Sequence, residues 1–184
     1  AAKSNSSIFS RNLSPETLGL KKEKLTHLRF YFHDIVGGQH PTAVHVAQAP
    51  TTNSSSTFYA LVTVINNPLT ATPELSSKLV GRAHGIYASA SHNGTALLIA
   101  INLVFAEGKF NWSSLSILGH NSVISSVREM PIVGGAGVFR FPRGHAEART
   151  HSSIQSLLSW VMMFMSSIIE VINVTIIILI LWFT

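Results

Sequence analysis

Leu25–Gly38 reads LTHLRFYFHDIVGG, and its alternation sets the fold class. In an extended chain Leu28, Phe30 and Phe32 share one face, while Arg29, Tyr31 and His33 share the other. This pattern predicts a β-strand over Leu28–Asp34 that the Gly37-Gly38 pair then interrupts. Asp34 continues the Phe30/Phe32 face beside a wall of aromatic rings. The residues alone leave two readings open: a carboxylate capping the turn before Gly37-Gly38, or an acid held against an apolar pocket.

The chain of 184 residues has room for one domain plus tails. Charged residues make up only 11% of it and mean hydropathy is +0.33, which excludes a disordered charged arm. The net charge of +5 does not mark a nucleic-acid binder, because Lys21, Lys22 and Lys24 form the one basic cluster and no aromatic-basic stripe follows. A weak attraction to acidic polysaccharide fits that charge better. The chain has no cysteine, so disulfides and thiolate chemistry are excluded. Asn-x-Ser/Thr sequons occur at Asn5, Asn12, Asn53, Asn93, Asn111 and Asn173, six of the ten asparagines. Chance would supply about two, so the excess predicts passage through the secretory pathway, with glycans at loop sites such as Asn53, Asn93 and Asn111. An opening at Ala1 without Met or an apolar leader fits a signal already removed.

Residues 1–24 read as a polar lead-in and residues 25–151 as the folded domain. Strands are expected near Leu28–Asp34, Ala43–Gln48, Thr57–Ile65, Leu79–Ser91, Leu97–Glu107, Leu115–Leu118, Ser122–Pro131, Val138–Phe141 and His145–Thr150. Turn formers separate them at Gly37-Gly38, Asn66-Asn67-Pro68, His92-Asn93-Gly94, Glu107-Gly108-Lys109 and Gly134-Gly135-Ala136-Gly137. Many strands at hairpin spacing, without an amphipathic helix, predict an all-β antiparallel sandwich or closed barrel. Residues 152–184 form an atypical hydrophobic tail, with Leu157–Phe183 almost wholly apolar around Glu170. As a helix that run would measure roughly 40 Å, enough to cross a bilayer. From the residues alone the run is open to four readings: a membrane span, a buried segment of the fold, an aggregation-prone β tail, or sequence foreign to the functional protein.

Four long segments resemble the plant dirigent proteins, in family order: LRFYFHDIVGG at Leu28–Gly38, NNPLTATPELSSKLVGRAHGIYASAS at Asn66–Ser91, INLVFAEGKFNWSSLSILG at Ile101–Gly119 and SVREMPIVGGAGVFRFPRGHAEA at Ser126–Ala148. The resemblance implies an eight-stranded antiparallel β-barrel, secreted and homo-oligomeric (dimer or trimer), with a pocket at its mouth. Such proteins impart stereoselectivity to the coupling of monolignol phenoxy radicals, for instance from coniferyl alcohol, which a separate laccase or peroxidase supplies. Pterocarpan-synthase-like members instead dehydrate an isoflavanol through a quinone methide. A third expectation is a non-catalytic defence protein of the wall that binds phenolics or glycans. No cofactor is implied. The family pattern continues after the Arg143–Ala148 segment into a polar turn and an aromatic-rich closing strand, which the sequence after His151 does not resemble. That abrupt change is read as a shifted reading frame or retained intron in preference to a membrane anchor, with one barrel strand missing or badly substituted and two edges unpaired.

Under this resemblance Asp34 is the pocket acid, donating a proton to a phenolic or quinone-methide oxygen. Tyr87, in GIYASAS, would bond a substrate oxygen, although a strand tyrosine also serves as packing. Arg128 would clamp an oxyanion or, equally, pair with Glu129 or Glu147 on a solvated face. Phe32 and Asn121 are expected as substrate contacts. Asn121 stands where lignan-forming members often carry Asp, which weakens the specific pinoresinol reading. Nine histidines lack HxxxH or His-x-His spacing, so no metal site is expected. The 134–137 glycine run lacks the strand-to-helix setting of a phosphate loop and is expected as a tight left-handed turn.

Overall fold

The computed structural model describes residues 24–154 and 159–170. Among these, nine strands follow in order: β1 (Lys24–Ile35), β2 (Ala43–Ala47), β3 (Val62–Thr70), β4 (Leu79–Ser89), β5 (Ala96–Phe105), β6 (Ser114–Ser122), β7 (Arg128–Ala136), β8 (Arg143–Ile154) and β9 (Ser159–Glu170). All neighbouring pairs are antiparallel. The sheet runs β1-β9-β8-β7-β6-β5-β4-β3-β2 and curls until β1 also meets β3, at Tyr31↔Thr70 and Phe32↔Leu69. Eight strands thus form the barrel expected from the sequence, and β2 is added alongside β3.

Closure depends on a segment that the sequence reading had placed in a tail. Ser159–Glu170 pairs along its whole length with β1 on one side and with β8 on the other. The missing strand and the two open edges are therefore corrected, and the sheet runs past residue 151. A strand is specified by backbone pairing and by β-compatible residues, and SWVMMFMSSIIE carries no Gly or Pro to interrupt it. The remainder of the proposed apolar span, residues 157–158 and 171–183, lies outside the described residues. Among the described residues no helix is long and apolar enough to cross a membrane.

Further boundaries differ from expectation, and Ser122–Pro131, expected as one strand, instead holds the end of β6, a turn and the start of β7. Asn66-Asn67-Pro68 is strand, not turn, because β3 is Val62–Thr70 rather than Thr57–Ile65. Proline fits there for a definite reason. The Asn66 amide donates to Thr42 O at 2.8 Å, so the N position of Pro68 points to the same edge. On that edge β2 has already ended and β1 first pairs at Leu69, so no ladder bond is lost. Gly134 and Gly135 lie in β7, and the left-handed turn falls at Gly137 alone, with φ of 69°. Val138–Phe141, expected as a strand, instead begins inside a short 3-10 turn at Gly137–Phe139.

Alternation delivers the interior. Odd-numbered residues of β5 from Leu97 to Phe105 are buried, together with Phe30 and Phe32 of β1, Leu69 of β3, and Leu115 and Ile117 of β6. Aromatic rings fill one barrel end: Phe30 meets Phe105 edge-on at 5.8 Å, Phe105 meets Phe139 at 5.5 Å, and Phe110 stacks on Phe139 at 5.2 Å. The opposite end gathers the C-termini of β1, β4, β6 and β8 and the N-termini of β3, β5, β7 and β9. Polar side chains concentrate there.

Strand β4 is narrowed so that it can lie close to β5. A Cβ on Gly85 would stand 2.2 Å from Ala100 O and 2.7 Å from Ile101 Cα, and one on Gly81 would stand 2.4 Å from Val104 O. These obstacles are backbone and cannot turn aside. Gly85→Ala is expected to lower stability by about 1–3 kcal/mol, read as a fall in the denaturant midpoint. An unchanged midpoint would contradict this close approach.

Candidate active site

The polar barrel end is organised around Asp34, at the C-terminal end of β1. The residue is 3% exposed, on the same strand face as Phe30 and Phe32. The Asn67 Nδ2 donates to Oδ1 at 2.8 Å, and the Tyr87 hydroxyl donates to Oδ2 at 3.0 Å. Those partners lie on β3 and β4, and only the β1–β3 contact that closes the barrel brings the three together. The turn-cap alternative for Asp34 is thereby removed.

Burial dominates the electrostatics. It raises the Asp34 pKa to about 6, against the opposing pull of the Asn67 and Tyr87 hydrogen bonds. Tyr87 is half-buried, and burial followed by the Asp34 charge and the bond to it raises its pKa well above the usual phenol value. Thr63, its cross-strand neighbour, acts weakly in the other direction. Tyr87 is therefore a phenol, never a phenolate, at working pH. Asp34 is an acid that changes state close to neutrality, as a proton donor requires.

Other expected site residues reach the same end by other strands. Arg128 opens β7 and is buried, with its guanidinium bonded to Val123 O at 3.1 Å and Thr150 Oγ1 at 3.0 Å. Burial lowers its pKa to about 10, so it remains a cation at neutral pH. The solvated-face alternative fails: Glu147 bonds Arg149 at 2.7 Å, and Glu129 lies 3.8 Å from His145. Asn121, near the end of β6, is fully buried, and neither end of its amide has a hydrogen-bond partner among the described residues. A buried polar group without a partner costs about 1–3 kcal/mol. Phe32 is 1% exposed and packs in the core below Asp34, so it shapes the floor beneath the acid.

Sequence reasoning missed Asn67 and His33. Asn67 was read as part of a turn, and the available signal was Pro68 after it, which holds the preceding residue extended. His33 lies on the other face of β1, almost fully buried, with Nε2 2.6 Å from Thr70 Oγ1. The described residues hold no group of three or more His, Asp or Glu placed for a metal ion. The sequon residues Asn53, Asn93 and Asn111 are all exposed and lie outside the strands.

Comparison with known proteins places this geometry in a family. The family model for dirigent-like proteins matches residues 25–169. Dirigent protein 21 of Arabidopsis thaliana is 55% identical over 145 residues, covering 79% of this chain and 77% of that protein. Pterocarpan synthase 1 of Glycyrrhiza echinata is 46% identical over 145 residues, covering 78% of this chain and 77% of its own length. The solved structure of the pterocarpan synthase dirigent protein PsPTS1 superposes with a TM-score of 0.76 at 42% identity, covering 82% of this chain and 97% of that one. A closed antiparallel barrel with one polar end, matched along nearly all of its described length, makes this chain a member of the dirigent family.

Proposed function

We propose that this protein binds a planar phenolic at the polar barrel end and controls the stereochemistry of a quinone-methide reaction there, most directly in the coupling of monolignol phenoxy radicals supplied by a separate laccase or peroxidase. The observation that carries this reading is the buried Asp34 carboxyl, bonded to Asn67 and Tyr87 and titrating at about 6. Coupled radicals give quinone methides. Closing one adds a proton at its oxygen while the attacking hydroxyl loses one. A fixed acid on one wall, with the buried Arg128 and Asn121 at the same end, offers unequal surroundings to the two faces of such an intermediate. A difference of roughly 3 kcal/mol between competing transition states gives better than 99:1 selection.

A second reading has its own support. The same acid can protonate a benzylic hydroxyl, which leaves as water while the conjugated phenol gives up its own proton, so that the quinone methide forms without any oxidant. The likeness to pterocarpan synthase structures favours an isoflavanol as that substrate. The two readings separate in one experiment. Purified protein with coniferyl alcohol and laccase is expected to give a lignan in enantiomeric excess. A racemic product would overturn coupling control, and conversion of isoflavanol without oxidase would establish dehydration instead.

The setting proposed for this activity is the apoplast, supported by the exposed sequons. A homo-oligomer is supported by the outer sheet face. There Val44, Val64, Ile86, Ala100 and Leu118 form one cross-strand row over five strands, and the four larger residues are each 43–50% exposed. A continuous apolar row of this kind suits a second copy of the chain. Light scattering at the monomer mass would remove that part of the reading.

A further inference from the structure

We propose that Asn67 is a positioning residue that decides which oxygen of Asp34 carries the proton, and that Tyr87, rather than Asp34 itself, hands that proton to the substrate. The inference rests on the functional reading above and concerns how its acid is built.

The chemistry of the two partners differs. Asn67 Nδ2 can only donate, so Asp34 Oδ1, 2.8 Å away, must accept. When Asp34 is protonated, Oδ1 is therefore the carbonyl oxygen and Oδ2 bears the hydrogen. Oδ2 faces the Tyr87 hydroxyl at 3.0 Å. A hydroxyl can donate or accept, so Tyr87 can take a bond from Oδ2–H and turn its own hydrogen elsewhere. Asp34 is almost sealed while Tyr87 keeps part of its surface exposed, so Tyr87 is the less enclosed member of the pair.

The transfer balances. The Oδ2–H proton moves to Tyr87 Oη as the Oη–H proton moves to the substrate oxygen, and Tyr87 is a phenol before and after. Asp34 is left as a carboxylate, which then accepts from both Asn67 and Tyr87, the arrangement that stabilises it. The hydroxyl that attacks the quinone methide returns a proton to Asp34 by the reverse route. Pro68 contributes by holding Asn67 extended, so its amide stays directed at β1. The described titratable groups turned into this barrel end are Tyr87 from β4 and Arg128 from β7, while His33 of β1 lies on the opposite strand face.

The test follows the Asp34 carboxyl directly by carbon NMR, across pH, in the wild type and in Asn67→Leu. Removal of a donor deprives the carboxylate of a partner, so the Asp34 midpoint is expected to move upward by about one unit, with the basic limb of the kcat/KM profile moving alike. A downward or absent shift would overturn the proposal, because it would make the amide oxygen, not its nitrogen, the group facing Asp34. Tyr87→Phe is expected to lower kcat about 100-fold or more at every pH with KM little changed. A rise in KM alone would make Tyr87 a binding group and also overturn it. Should Asn67→Leu fail to fold, Asn67→Ala, which also removes the donor, is expected to shift the midpoint in the same direction, and no shift would refute the assignment. The carboxyl titration needs no substrate, so a shifted midpoint with no turnover of any phenolic would sink the functional reading and leave the positioning role standing.

Discussion

Asp34→Asn is expected to lower turnover by about 10²–10⁴-fold while making the protein more stable at neutral pH. The loss follows from chemistry alone. An amide of the same shape still accepts from Asn67 and donates to Tyr87, so the geometry survives, but it has no proton to give. The gain follows from linkage. The folded pKa of about 6 lies above the ordinary aspartate value of 3.8, so Asp34 contributes stability below about 3.8 that is lost as pH rises through 6. At pH 8 the buried charge costs about 3 kcal/mol relative to a neutral group, the free-energy equivalent of that shift. The uncharged amide avoids this cost. Denaturation at pH 8 is expected to show the variant more stable by up to that amount, and denaturation at pH 4 to show no difference. A variant that loses activity and also loses stability at pH 8 would mean that the carboxylate is held as a favourable charge, and that acid catalysis by Asp34 is wrong.

Such a trade of stability against activity explains why the site was only half legible in the sequence. The alternation of LTHLRFYFHDIVGG identifies β1 and its inward face directly, and ALLIAINLVF does the same for β5. Local pattern is enough there because each strand buries one face. It cannot supply the partners of Asp34, which lie 33 and 53 residues away in sequence and meet it only when β1 closes against β3. Asn66-Asn67-Pro68 has the composition of a turn. Its place in a strand depends on where β2 stops and β1 begins along one edge, a long-range fact. Arg128 could not be separated from a surface arginine by its neighbours Glu129 and Glu147, because both acids find other partners once β7 and β8 pair. The 159–170 segment was masked by its own composition: a run that apolar fits a lipid-spanning helix or a barrel strand equally, and pairing with β1 and β8 decides between them.

The second large effect concerns how stability responds to pH, and it involves both neighbours in the His33-Asp34 pair. Burial lowers the His33 pKa to about 4 from 6.5, as it raises that of Asp34 to about 6. Thr70 Oγ1 donates to Thr72 O at 2.7 Å, so it accepts from His33 Nε2–H and fixes the neutral tautomer with Nδ1 bare. As pH falls from 7 to 4 the folded protein takes up one proton at Asp34, while the unfolded chain takes up one at His33. The two uptakes nearly cancel, so the pair leaves stability almost level across this window. Asp34→Asn removes the folded-state uptake alone. Its stability is expected to fall with acidification by at most about 1.4 kcal/mol per pH unit between 6 and 4, relative to the wild type. His33→Gln keeps a donor for Thr70 and removes the unfolded-state uptake, so its stability is expected to rise over the same interval. Urea midpoints measured at several pH values in the three proteins give both slopes, and the background from other carboxylates cancels in the differences. Parallel profiles in all three would show that neither group is held neutral by the fold. The barrel wall would then be wetter at Asp34 than its burial indicates, and a proton donor near neutrality would have no basis.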